Sequence, residues 1–185
     1  MKKISSELPG LFLIELKVHG DARGFFVERY RSDQMREMGI PVDSFIQDNH
    51  SRSSPGVLRG MHYQSEPAQG KLVGVTSGKV WDCVVDIRPN SPTYGKYFGV
   101  ELSDMNGLLL WIPPGFAHGF CTIGDTTADF FYKVTGIYNP KSESGIRFDD
   151  LEVGIKWPIE NPIVSDRDRV QKTFEEYKKA PIQWS

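Results

Sequence analysis

Short apolar and β-branched runs, each closed by a glycine, a proline or a polar turn, govern what this chain can fold into. They occupy residues 11–18, 25–30, 44–47, 57–63, 72–75, 80–87, 97–102, 108–112, 119–122 and 128–134. Turn signals stand between them at Gly20-Asp21, Ser54-Pro55-Gly56, Ser77-Gly78, Pro89, Ser91-Pro92, Asn106-Gly107 and Gly124-Asp125. Strands this short, broken this often, predict an all-β sandwich or barrel. Only two helices are expected. One covers 34–38, capped by Ser32 or Asp33 and stopped by Gly39, and the other covers 167–179. With 39% apolar and 12% aromatic residues, a chain of 185 has enough core for one domain spanning 1–185.

Several functional classes are disfavoured at once. A net charge of −2 does not supply the basic surface that nucleic acid requires. No apolar run approaches the roughly 20 residues of a membrane span. The run at 11–14 is closed by Glu15, too short for a secretion signal, which makes a cytoplasmic protein the expectation. Cys83 and Cys121 are far apart and lie in apolar runs, as reduced core thiols do. Without a secretion signal, Asn49-His50-Ser51 is a chance glycosylation match.

Residues 107–118 read Gly107, five residues, Pro113-Pro114-Gly115, two residues, His118. This spacing resembles the second motif of the cupin barrel: a strand, a Pro-Gly reversal, and a histidine facing inward on the return strand. Gly56 and His62 resemble the first motif, with Gly78 near its closing glycine, although the spacing there is not ideal. Where cupins hold further metal ligands this chain has Gln64 and Gln69. Two histidines with two neutral amides make a poor site for a divalent metal, so no metal is expected. Arg59 and His62 would point to opposite faces of a regular strand. A bulge at Gly60 would bring both into one pocket.

Further segments extend the pattern: Asp21-Ala-Arg23-Gly24-Phe-Phe26-Val-Glu28, Gln47-Asp-Asn49, Gln69-Gly-Lys71, Trp111 to His118, Tyr132-Lys133, Tyr138-Asn-Pro140, Glu143-Ser-Gly145 and Ser165-Asp-Arg167-Asp168. Together, from about residue 8 to 170, they resemble the dTDP-4-dehydrorhamnose 3,5-epimerase family. That resemblance implies a homodimeric enzyme on a cupin-like jelly roll, with neither metal nor cofactor. Its substrate would be dTDP-4-dehydro-6-deoxy-D-glucose and its product dTDP-4-dehydro-L-rhamnose, on the route to dTDP-L-rhamnose for cell-surface polysaccharides. Relatives that invert only C3, or that act on other dTDP-keto-sugars, can share the same key residues, so regiochemistry stays open. A metal-dependent cupin is the rival of a different class.

The chemistry suits the residues. A C4 ketone acidifies the protons at C3 and C5, so inversion needs a base, an acid on the opposite face and a positive group near the enolate oxygen. The resemblance implies His62 as base, Asp168 as the carboxylate that orients it, Tyr132 as acid and Lys71 as enolate stabiliser, with His118 near the sugar. It places Arg23 and Arg59 on the diphosphate and Tyr138 against thymine. Phe26 and Glu28 would recognise the nucleotide from the neighbouring subunit, and Gln47, Asn49, Glu143 and Arg167 would also contact ligand. Plainer roles compete: Tyr132 as an edge-strand aromatic, Asp168 as a helix cap after Ser165, Lys71 as a surface lysine, and Arg23 with Glu28 as a surface ion pair. Met61 and Arg167 stand where leucine and lysine are frequent, changes that touch none of the proposed acid, base and stabiliser.

Overall fold

Two sheets face each other across an apolar core, with a small hairpin standing apart from both. The computed structural model describes residues 1–184. In chain order the strands are β1 (Lys2–Ser5), β2 (Phe12–Glu15), β3 (Val18–Asp21), β4 (Gly24–Val27), β5 (Gln47–Ser53), β6 (Val57–Gln64) and β7 (Lys71–Ser77). There follow β8 (Lys79–Asp86), β9 (Tyr97–Ser103), β10 (Leu108–Ile112), β11 (Phe116–Thr122), β12 (Ala128–Val134), β13 (Glu143–Gly145) and β14 (Ile163–Val164). The helices are α1 (Ser32–Glu37), α2 (Asp166–Arg169) and α3 (Phe174–Lys179).

One sheet runs β1-β2-β10-β7-β12-β5 and the other β13-β6-β11-β8-β9, with β14 joined parallel to β6. This is the expected all-β jelly roll with a few short peripheral helices. Val73, Val75 and Leu110 of the first sheet pack with Val80, Val84 and Phe120 of the second. Leu110 is fully buried there. Leu110→Ala is expected to cost about 2–5 kcal/mol, read as a lower urea midpoint at unchanged slope. Cys83 and Cys121 are buried free thiols, and burial pushes Cys121 up to about 12. Among the described residues no helix is long and apolar enough to cross a membrane.

The structure corrects several expected bounds. Residues 42–44 form a 3-10 turn, and the strand expected at 44–47 begins only at Gln47. Gly20-Asp21 belongs to β3, so the turn falls at Ala22-Arg23. β4 stops at Val27, short of the expected residue 30. Just beyond it, Arg29 donates to the Val75 carbonyl and covers the Phe131 ring, pulling the chain back onto the large sheet. Glu28 therefore lies outside the strand that carries Phe26. Arg31, not Ser32 or Asp33, occupies the α1 N-cap, and its side chain makes no capping bond. The helix expected at 167–179 is two helices, because Lys172 bridges to Ile146 and Thr173 opens a new capping box with Glu176.

Candidate active site

The bulge expected in β6 is present. His118 stands opposite His62 and Phe120 opposite Arg59, so Gly60 and Met61 together face Gly119 alone. Gly60 has φ of 134°, and a Cβ there would lie 2.5 Å from the Gly119 Cα. Glycine alone meets both demands. The extra residue resets the alternation of side chains, and Arg59 and His62 line one cavity of about 720 Å³.

His62, Lys71, Tyr132 and Asp168 share this cavity with Gln47, Asn49, Arg59, His118, Tyr138, Glu143 and Arg167. The inward residues of β5 alternate with exposed Asp48, His50 and Arg52, so one strand gives the cavity a polar wall. Arg59 is steadied by a bond from Nε to Ser53 Oγ of 2.9 Å and stays exposed. At the rim, Glu143 accepts from both the Tyr138 hydroxyl and the Arg167 guanidinium.

Asp168 both belongs to a capped helix and reaches the site. Ser165 caps α2 through the Asp168 N–H, while Asp168 Oδ1 lies 2.6 Å from His62 Nε2 and Oδ2 accepts from the Gly60 N–H. Burial pushes the Asp168 carboxyl up, but the bonds from His62 and Gly60 outweigh it and hold the group below its ordinary value. An ionised Asp168 accepts a hydrogen bond from His62 Nε2–H, and that tautomer leaves the ring's lone pair on Nδ1, free to face the cavity as a base.

Lys71 is half-buried at the start of β7 rather than on the surface. Burial lowers its ammonium to about 8, against the opposing pull of Glu143 and Asp82. Tyr132, partly buried on β12, is raised by burial and by the charge of Glu143, so it holds its proton at neutral pH. His118 Nε2 lies 2.9 Å from Asp82 Oδ2. Asp82 is wholly buried and its other oxygen has no partner among the described residues. Burial raises its carboxyl, while His118 and Lys71 pull it back down. Sequence reasoning missed Asp82, although a lone acid inside Val80-Trp81-Asp82-Cys83-Val84 was the available signal. Among the described residues no three His, Cys, Asp or Glu side chains come together as a metal-ligand set.

Arg23, Phe26 and Glu28 do not reach this cavity. Arg23 sits in the hairpin turn, paired with Asp21 rather than Glu28. Phe26 is 66% exposed on β4, and among the described residues β3 and β4 pair only with each other.

The cavity of this cupin-like jelly roll gathers a histidine held by Asp168, a protonated tyrosine and a lysine of lowered pKa, the groups an acid–base enzyme needs to move protons beside a carbonyl. The family model for dTDP-4-dehydrorhamnose 3,5-epimerase matches residues 5–176. The enzyme of that name from Shigella flexneri is 51% identical over 170 residues, covering 91% of this chain and 93% of the relative. The Legionella pneumophila dTDP-6-deoxy-D-glucose-3,5-epimerase, solved with dTDP-4-keto-L-rhamnose, superposes with a TM-score of 0.90 at 46% identity, covering 94% of this chain and 93% of that one. ChmJ, a 3'-monoepimerase from Streptomyces bikiniensis solved with dTDP-quinovose, superposes with a TM-score of 0.88 at 29% identity, covering 94% and 88%. The chain belongs to the dTDP-4-dehydrorhamnose 3,5-epimerase family.

Proposed function

We propose that this enzyme inverts C3 and C5 of dTDP-4-dehydro-6-deoxy-D-glucose to give dTDP-4-dehydro-L-rhamnose, in the cytoplasm, for dTDP-L-rhamnose biosynthesis. The observation that carries the reading is the Asp168-oriented His62 in one cavity with Tyr132 and Lys71. His62 takes the proton from the carbon beside the ketone, and the electron pair moves onto the C4 oxygen. The Lys71 ammonium and the His118 side chain stabilise that oxygen. Tyr132 gives a proton to the opposite face, and solvent restores the acid and the base. The step repeats at the second carbon. No cofactor enters this scheme, because each step moves only protons.

Incubating the dTDP-keto-sugar with enzyme and reading the ring-proton couplings by NMR tests the reaction. Couplings for two inverted centres are expected. A product inverted at C3 alone would assign the chain to the activity named for ChmJ.

Lys71 sets an expected pH dependence. The charged form, present below about 8, stabilises the enolate, so kcat/KM should fall as pH rises through about 8. The check is a pH–rate profile beside that of Lys71→Arg, whose cation should persist. An alkaline fall retained unchanged in the arginine variant would remove Lys71 from this role.

The hairpin supports a homodimer in which β3 and β4 complete the neighbour's site. A two-stranded ribbon with Phe25 57% and Phe26 66% exposed is not stable by itself and calls for a partner. Docked there, Arg23 would meet diphosphate while Phe26 and Glu28 meet the nucleoside. Mixing two inactive variants, Arg23→Ala and His62→Asn, should restore activity through mixed dimers. A mixture as inactive as its components would place Arg23 outside the shared site.

A further inference from the structure

Gln64 is the amide that stands where a cupin holds a metal ligand. It is 3% exposed on β6, two residues beyond His62. Its Nε2 donates to the Pro67 carbonyl at 2.7 Å and to the Ile137 carbonyl at 3.0 Å. Its Oε1 accepts from the Asn139 N–H at 2.8 Å. The assignment of O and N is fixed by these partners, since a flipped amide would set its oxygen against two carbonyls.

Tyr138 is the one residue between the two positions that Gln64 grips. Its own N–H is held by Gln47 Oε1 at 3.0 Å, and Gln69 Nε2 donates to the Gly136 carbonyl at 2.7 Å. The backbone on both sides of Tyr138 is therefore tied to the cavity wall, while the residue as a whole remains 48% exposed. An aromatic face offered to a base binds more tightly when its loop is already ordered, because less freedom is lost on contact.

We propose that Gln64 is the positioning residue for Tyr138: it braces the 136–139 loop so that the ring is held ready to stack on the nucleobase. The amide at the lost metal position thus couples the strand bearing the base, β6, to recognition of the nucleotide. This inference rests on the nucleotide reading above. Without the amide, the Asn139 N–H and the Ile137 carbonyl lose their buried partner and the loop moves to find another.

The test compares Gln64→Met, Tyr138→Ala and the double variant for dTDP affinity by calorimetry, and for kcat and KM. Gln64→Met keeps the side chain's shape and removes its hydrogen bonds. It is expected to weaken dTDP about tenfold, the scale of one base–aromatic stack, with the loss falling on KM rather than kcat. In the Tyr138→Ala background it should add almost nothing, since the two residues act as one unit. If Gln64→Met does not fold, Gln69→Met, at the other amide of the cavity wall, removes the bond to the Gly136 carbonyl and should show a smaller weakening of dTDP, again lost in the Tyr138→Ala background. Unchanged dTDP affinity, or losses that add in the double variant, would overturn the inference alone. A wild-type protein that bound no dTDP would overturn the nucleotide reading first, and this inference with it.

Discussion

His62→Asn is expected to lower kcat by at least about a hundredfold, the low end for removal of a general base. Asparagine keeps a polar group near Asp168 but supplies no basic nitrogen. Arg59 and Tyr138, the proposed nucleotide contacts, are separate from His62, so dTDP affinity should stay close to wild type. Steady-state turnover with calorimetric dTDP binding makes the check. Turnover near wild type would remove His62 from the role of base.

Tyr132→Phe should produce an equally large loss of inversion with a distinctive signature. The phenol is the proposed acid, and its loss is expected to cost about 10²–10⁴ in epimerisation. His62, Lys71 and Asp168 remain, so the substrate proton can still leave and return on the face of the base. In D2O the starting sugar should therefore gain deuterium beside the ketone while keeping its configuration. NMR of the recovered substrate reads both. Inversion at an undiminished rate would show that another group donates the proton.

Much of the fold was legible because apolar strands separated by glycine and proline announce themselves, as in residues 80–86 and 108–112. β5 begins later and runs longer than the expected 44–47 for a physical reason. Its inward side chains, Gln47, Asn49 and Ser51, face a polar cavity rather than the core, so the strand carries no apolar alternation. The bulge at Gly60 was legible because Arg59 and His62 can share a pocket only if the alternation is reset. Asp82 stayed hidden since its partner His118 lies 36 residues away, joined only by the pairing of β8 with β11. The roles of Lys71, Tyr132 and Asp168 came from family resemblance. In the sequence each also fits a plainer role, and only the folded chain gathers them in one cavity with His62. Arg23, Phe26 and Glu28 are likewise readable as site residues only through the family, because one chain holds them outside its own cavity.

The proposed reaction is proton exchange at two carbons, directed by His62 and Tyr132 within one cavity. Wild-type turnover of dTDP-4-dehydro-6-deoxy-D-glucose in D2O, followed by NMR and mass spectrometry of the product, tests it most directly. One solvent deuteron at C3 and one at C5 are expected, each accompanying inversion. Label at C3 alone would contradict the double epimerisation, and inversion without any label would contradict proton exchange with solvent altogether.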